Sequence, residues 1–323
     1  MAALGMDMAI VPAIAVGSSD VATDECPLGQ FRSFYYQSGL KCVLSETPYD
    51  AGLLSKATAA FASRNISVYI GLAEPEAPFH QPWNRTGEAL TAWLDAWADL
   101  QKTLLHDVWA SLGASTSIVA GVYTNMELYN NPAFREDAEQ LAAHFYQPIA
   151  DAASKLARPR SLDVLASPFY HGNTSNYKGE LLSAAEYASV WNALRTSAPG
   201  LTKVALQDSV GWQGNSIAMA AEALDAFGSE RALRGEHAWA NIELFRATPA
   251  GCIFPESCGR APAPWARVAA QLATEGPRAS RLISWEWLTC LSPNTDKTTR
   301  ALNEAYVAYL KGRATLSDAP ALV

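Results

Sequence analysis

Short apolar segments alternate with longer segments of helical periodicity along most of this sequence. The predicted strands span residues 9–16, 66–72, 118–123, 162–166, 202–207, 238–242 and 282–287. The predicted helices span residues 49–64, 87–113, 132–156, 183–197, 216–233, 264–275 and 298–311. Alternation of this kind is typical of a parallel sheet with crossover helices. The strands are apolar throughout, as expected when both faces of a sheet are buried.

A closed barrel is favoured over an open sheet. Open α/β sheets that bind nucleotides usually carry a glycine-rich turn after an early strand, and none is found here. The 323 residues are enough for a TIM-type (β/α)8 barrel as a single domain over residues 1–323. Seven units are one short of eight, and Met1-Ala-Ala-Leu-Gly-Met resembles the end of a helix. We therefore expect a barrel lacking the first β/α unit, with a seam between its first and last strands.

Charge and hydropathy exclude two classes of partner. The net charge is -8 and no run of Lys or Arg stands out, so we expect no nucleic acid partner. No apolar run approaches the ~20 residues that a membrane span needs. Residues 1–16 do not form a convincing signal peptide, because Asp7 and Pro12 interrupt the apolar run and no basic segment precedes it. The polar and aromatic residues 17–47 are expected to form one long functional loop.

The five cysteines favour an oxidising compartment. We expect Cys26–Cys42 and Cys252–Cys258 to form disulfides, with Cys290 as the odd thiol. The alternative is a cytosolic protein with five reduced thiols. Three N-x-S/T sequons, at Asn65, Asn84 and Asn173, add a little support for a secreted protein. Without H-E-x-x-H or C-x-x-C spacing, we expect neither a metal nor a cofactor.

Two segments share one form, a buried strand that ends in a single carboxylate. One is residues 117–129, which carries Asn125 and Glu127, and the other is residues 237–245, which carries Asn241 and Glu243. In a barrel, functional groups gather at the carboxyl ends of the strands. The two glutamates are therefore candidate catalytic residues. Each could instead be a structural carboxylate that pairs with an arginine or a loop amide.

Further polar and aromatic side chains follow the predicted strands. Asp208 could bind a substrate hydroxyl, orient Glu243, or cap the loop before the next helix. Glu286 could replace either glutamate or belong to a buried ion pair. The candidate substrate-binding residues are Asn125, Tyr123, Tyr170, His171, Asp208, Trp212, Asn241, Trp285 and Glu286. Aromatic rings suit the C–H faces of sugars, although about half of these rings should be core.

Five segments, in order, resemble one barrel family. They are Leu4-Gly-Met-Asp-Met-Ala-Ile-Val, Val68-Tyr-Ile-Gly-Leu72, Gly121-Val-Tyr-Thr-Asn-Met-Glu127, Ala205-Leu-Gln-Asp-Ser-Val-Gly211 and Trp239-Ala-Asn-Ile-Glu-Leu-Phe245. The family is domain of unknown function 4434, which is similar to glycoside hydrolases of clan A. That resemblance implies an acid/base glutamate after strand four and a nucleophile after strand seven, which are Glu127 and Glu243 here. The Asn-Glu pair usual at strand four is replaced by Met126-Glu127.

The expected function is retaining hydrolysis of a poly- or oligosaccharide by these two glutamates. The alternative is a catalytically inactive carbohydrate-binding barrel. Retention requires carboxyl groups about 5–5.5 Å apart. Glu127 should hold its proton, and hydrogen bonds from Asn241 or Tyr170 should keep Glu243 ionised.

Overall fold

Seven parallel strands form the main sheet in this computed structural model. The structure describes residues 6–11, 13–19, 30–33, 36–45, 52–74, 85–172, 181–212, 214–248, 259–285, 290–294 and 296–312. The strands are β1 (Met8–Val11), β5 (Ser67–Gly71), β7 (Val119–Thr124), β8 (Asp163–Ala166), β9 (Lys203–Gln207), β10 (Ala238–Glu243) and β13 (Arg281–Trp285), hydrogen-bonded in that order. Their parallel registers bring the carboxyl ends to one edge, as in the pair Asn241 and Gln207.

Helices connect these strands and cover the outside of the sheet. They are α1 (Leu53–Ala62), α2 (Gly87–Leu112), α3 (Phe134–Leu141), α4 (Gln147–Leu156), α5 (Ala184–Ser197), α6 (Ile217–Ser229), α7 (Trp265–Glu275) and α8 (Lys297–Leu310). A π-helical turn over Ala142–Tyr146 joins α3 to α4, so the predicted helix over 132–156 is continuous. Ser183 and Glu186 form a capping box at the start of α5.

The inner face of the sheet is filled by side chains from each of its seven strands. Tyr69, Tyr123, Leu165, Ala205 and Trp239 form this inner cluster, with Met8, Ile10, Ala120 and Ile283 packed against it. Contact between first and last strands through one cluster requires the sheet to curl on itself. The predicted fold, a barrel of parallel strands that lacks one unit, is confirmed.

The first and last strands of the sheet meet at a seam. Among the described residues β1 and β13 each pair on one side only, and most of their residues are half-buried. Arg281 Nη1 lies 2.6 Å from Asp7 Oδ1 and so bridges the seam near the amino ends of the two strands. Side chains thus contact each other across the predicted seam, where the described parts of β1 and β13 share no backbone pairing.

A second sheet corrects two predictions near the start of the chain. The predicted strand over 9–16 is divided between β1 and β2 (Ala15–Ser19). The predicted loop over 17–47 contains β3 (Gln30–Ser33) and β4 (Val43–Ser45), which join β2 and β6 (Ala73–Glu74) in the order β4-β3-β2-β6. These strands are too short to show a periodic pattern. Tertiary pairing, including that of β2 with β6, defines them.

An antiparallel hairpin follows β10 and was not predicted. Its strands are β11 (Phe245–Thr248) and β12 (Gly259–Pro262). Cys26, Cys252 and Cys258 lie outside the described residues, so both disulfides and the secreted location inferred from them stay predictions. Cys290 is fully buried in the core beside α7 and α8.

Candidate active site

A belt of polar side chains crosses the inner face of the barrel at the carboxyl ends of its strands. Gln207 Nε2 donates to Ser167 O at 2.7 Å and approaches Glu127 Oε1 at 3.5 Å. Asn241 Nδ2 donates to Ser167 Oγ at 3.0 Å. Because alternate residues of a strand share a face, Glu243 follows Asn241 on the inner side of β10. The belt therefore leads from one candidate glutamate to the other.

Glu127 lies just beyond the end of β7 and is half-buried. Burial raises the pKa of its carboxyl, while the hydrogen bond from Gln207 and the positive charge of Arg260 act in the opposite direction. Below it, Tyr123 is buried in the inner cluster. The raised pKa of Glu127 agrees with the prediction that this residue holds its proton, and burial is the main cause.

Glu74 is a further carboxylate of this region that sequence reasoning missed. Leu72 N donates to Tyr123 O at 3.2 Å, and Asn125 Nδ2 approaches Leu72 O at 3.3 Å. These bonds hold the exits of β5 and β7 together and bring Glu74 near Glu127. Loss of hydration and then the charge of Glu127 raise the pKa of Glu74, and Arg260 opposes both. Its position two residues after the predicted strand 66–72 was the available signal, hidden by the proline-rich segment that follows.

Arg260 reaches this region from the hairpin. Its guanidinium carbon lies 4.6 Å from the ring centre of Trp212 and 4.9 Å from that of Phe245. Trp212 is half-buried, and its ring meets Phe245 edge-on with centroids 4.9 Å apart. The hairpin thus adds a cation and an aromatic surface beside the two acidic groups.

Glu243 is the last residue of β10 and only 2% exposed. Its Oε2 accepts a hydrogen bond from Trp212 N at 3.1 Å. A Cβ on Gly211 would lie 2.7 Å from the same oxygen, so only glycine leaves room for this carboxyl. Burial, and then the charge of Asp208, raise the pKa of Glu243 to about 8, against the hydrogen bonds from Trp212 and Gly211.

The expectation that Asn241 or Tyr170 keeps Glu243 ionised is wrong. The Asn241 amide donates to Ser167 instead. The Tyr170 ring stacks on Tyr187 at 6.5 Å, within the outer core. Within the described part of the chain, the hydrogen bonds to the Glu243 carboxyl come from the main chain, which side-chain patterns in the sequence do not reveal.

Asp208 is buried behind Glu243. The Glu243 main-chain N–H points at both Asp208 oxygens at 3.4 Å, and Val210 N donates to Oδ1 at 3.1 Å. Gln271 Nε2 donates to Oδ2. Burial raises the pKa of Asp208 to about 6 against these hydrogen bonds. Two of its predicted roles are therefore compatible, since it fixes its own loop and also holds the end of β10.

The remaining predicted residues occupy different surroundings. Asn125 is buried, and His171 is buried beside Phe169, where loss of hydration lowers its pKa to about 4 and keeps the ring neutral. The Trp285 backbone pairs with Glu243, whereas nothing is described of its side chain or of Glu286.

No group of three or more His, Cys, Asp or Glu in the described residues is arranged to hold a metal ion. None of the described helices combines the length and apolarity needed to cross a membrane.

The sequence of this barrel matches a known family. The family described as "Domain of unknown function (DUF4434)" matches residues 1–297. The chain belongs to this family. A comparison of this DUF4434 member with curated proteins finds no match.

Solved structures similar to this DUF4434 member include glycosidase barrels. A candidate α-L-fucosidase from Bacteroides thetaiotaomicron VPI-5482 aligns with a TM-score of 0.64 and 15% identity over 96% of this chain and 83% of its own. A family 18 chitinase from Crocus vernus aligns with a TM-score of 0.51 and 14% identity over 96% of this chain and 92% of its own. At such identities the likeness establishes the fold.

Proposed function

We propose that this barrel hydrolyses glycosidic bonds of a poly- or oligosaccharide with retention of configuration. Glu127 serves as the acid/base and Glu243 as the nucleophile. The observation that carries the proposal is the polar belt Glu127, Gln207, Ser167 and Asn241, which leads to Glu243 at the carboxyl ends of the strands. Two carboxyl groups that flank one bond are what this chemistry requires, and the fold is one that glycosidases use.

The two steps assign a separate task to each glutamate. Glu127 first donates its proton to the leaving oxygen while Glu243 attacks the anomeric carbon. Glu127 then takes a proton from the water that cleaves the glycosyl-enzyme bond. Burial raises the pKa of Glu127, which suits an acid that must hold a proton near neutral pH. Trp212, half-buried beside Glu243, offers a ring on which a sugar can stack.

The state of Glu243 sets the pH dependence. A nucleophile must be ionised, and the pKa of Glu243 is raised to about 8. The active fraction therefore grows as the pH rises through about 8, and the acid limb of kcat/KM should lie there. Main-chain N–H groups of Trp212 and Gly211 stabilise the carboxylate once it forms.

The raised pKa of Glu243 favours a second candidate, a catalytically silent carbohydrate-binding barrel. A glutamate that stays protonated at neutral pH can donate a hydrogen bond to a sugar hydroxyl but cannot attack carbon. Under that proposal the cleft binds saccharide at pH 7 and turns none over at any pH.

The test combines a polysaccharide panel with two variants. The purified chain is assayed for new reducing ends from pH 6 to 9, and saccharide binding is measured by calorimetry. We expect Glu127→Gln and Glu243→Gln each to lower turnover by about 10²–10⁴-fold while binding persists. An activated aryl glycoside, whose leaving group needs no protonation, should restore a burst of aryl alcohol release to Glu127→Gln but not to Glu243→Gln.

Controls separate the two candidates. Glu88→Gln changes an exposed glutamate on α2 and should leave turnover unchanged. Binding without turnover by the wild-type chain over the whole pH range supports the silent barrel. A chain that neither binds nor cleaves any saccharide contradicts both candidates.

A further inference from the structure

The inward side of α7 carries a polar stripe where a barrel helix normally buries apolar residues. Arg267, Gln271 and Glu275 recur every four residues and so share one face. Gln271 and Glu275 are both fully buried. Arg267 Nη2 donates to Glu243 O at 2.9 Å and also to Phe245 O. The stripe is therefore built against the end of β10, directly behind the candidate nucleophile.

Glu275 has surroundings that do not suit a carboxylate. Among the described residues, no donor reaches either of its side-chain oxygens. An ionised carboxyl buried without donors is very costly. Its neighbour Asp208 is itself an acid, and two acids can share a hydrogen bond only when one of them carries a proton. Protonated Glu275 can donate to Asp208, whose Oδ2 also accepts from Gln271.

The balance of charges in this buried cluster also favours a protonated Glu275. In the segments that the structure describes, Asp208, Glu243 and Glu275 face one guanidinium, that of Arg267. Full ionisation would bury three negative charges against one positive charge. With two protons in the cluster, one carboxylate faces one guanidinium and the net charge is zero.

We propose that Glu275 is a positioning residue. It donates its carboxyl proton in a hydrogen bond to Asp208, and Asp208 in turn holds the main-chain N–H of Glu243. The cluster of Asp208, Glu243 and Glu275 keeps two protons at neutral pH. This inference rests on the proposed function only for the role that it gives to Glu243. The direction of each pKa agrees with it. Burial raises the pKa of Glu275 to about 9, with the charge of Asp208 next, and the pKa of Glu243 to about 8.

The groups around Glu275 come from several elements. Asp208 lies after β9, Glu243 ends β10, and Arg267 is on α7 itself. Cys290, in the segment after β13, lies close enough to Arg267 to raise the pKa of its guanidinium. The helices that pack beside α7 carry exposed charges, which are Glu222 and Asp225 on α6, where Asp225 pairs with Arg278, and Lys297, Arg300 and Glu304 on α8.

Proton linkage tests the inference without any assay of activity. A carboxyl whose pKa is raised in the folded state binds more protons there than in the unfolded state, so stability falls as pH rises between the two values. From pH 6.5 to 7.5 Glu243 and Glu275 should each take up one proton on folding. Together they should raise the equilibrium constant for unfolding about 100-fold for each unit by which the pH rises.

The comparison is made between full-length variants by urea unfolding at several pH values. Glu275→Gln mimics the protonated acid, so it should fold, and it should remove about one proton from the slope, a tenfold change per pH unit. Glu243→Gln, as a separate variant, should likewise remove about one proton from the slope. The exposed Glu304→Gln should leave the slope as in the wild type. An unchanged slope in Glu275→Gln overturns the proposal.

A measurement on the wild-type chain keeps the inference testable if a variant fails to fold. Infrared spectroscopy distinguishes the C=O stretch of a protonated carboxyl from a carboxylate. We expect protonated carboxyl absorbance at pH 7 that disappears as pH passes about 9. Its absence at pH 7 would overturn the proposal even if the barrel proves to be an active glycosidase.

Discussion

Glu127 and Glu243 end two strands of one barrel but are held in different ways. Glu243 is the last residue of β10, receives a main-chain hydrogen bond and is backed by α7, so the barrel itself fixes it. Glu127 lies beyond its strand, touches Gln207 at 3.5 Å, and feels the charge of Arg260 from an appended hairpin. Changes behind Glu243 should therefore cost folding stability, whereas changes around Glu127 should mainly alter pH dependence.

The largest effect is expected for Arg267→Met. This change leaves three acids without their cation and removes the donor to Glu243 O. Removing one partner of a buried charge cluster costs about 3–5 kcal/mol, and the half-buried position of Arg267 favours the lower value. Because Arg267 lowers the pKa values of Asp208, Glu243 and Glu275, its loss raises them further. The loss in free energy of unfolding relative to the wild type should therefore grow as pH rises from 5 to 8.

Urea unfolding at pH 5 and pH 8 measures this difference. Arg135→Met serves as the control, since the Arg135–Glu186 bridge is solvent-exposed and surface pairs of this kind contribute little. A deficit that is equal at both pH values would show that Arg267 acts through packing alone.

A smaller effect is expected for Gly211→Ala. The new Cβ would lie 2.7 Å from both Glu243 Oε2 and Phe245 O. Overpacking of this kind typically costs about 1–3 kcal/mol. Displacement of Glu243 should also lower any glycosidase turnover by about 100-fold, because reacting groups tolerate little misplacement.

Gly228→Ala on α6 is the matched control. A Cβ there meets no atom within 4 Å, so alanine should stabilise the helix by about 0.5–1 kcal/mol. Thermal unfolding of both variants checks the pair. Equal stability of the two variants would contradict the close packing proposed around Glu243.

The contrast between the two glutamates also explains what the sequence could reveal. The parallel strands were predictable because residues such as Val122, Leu206 and Ile242 are buried and the segments that carry them are apolar. The seven-strand order and both candidate glutamates followed from that pattern. Strands such as β2 and β11 depend on pairing partners distant in sequence or across a long loop, so no local period marks them.

The surroundings of the glutamates were harder to predict. The polar stripe on α7 keeps helical spacing, and only the buried state of Gln271 and Glu275 reveals that it faces inward. Arg260 lies in a segment without a recognisable pattern, and it reaches the cleft because β12 pairs with β11. The pKa of a buried carboxyl depends on such contacts between distant segments, which is why the sequence did not reveal the raised pKa of Glu243.

The smallest effect on stability is expected for Arg260→Gln, on the Glu127 side. The Arg260 side chain is exposed on β12, so its loss should change the free energy of unfolding by no more than about 0.5 kcal/mol. Its charge lowers the pKa values of both Glu127 and Glu74, and removal should raise them. Glu127 acts as an acid while protonated, so the alkaline limb of kcat/KM should move to higher pH. Arg246→Gln is the control, because Arg260 pairs with Ala247 and Arg246, one residue earlier, lies on the opposite face. An equal shift in both variants would mean that net charge alone moves the limb, and no shift in either would remove Arg260 from the environment of Glu127.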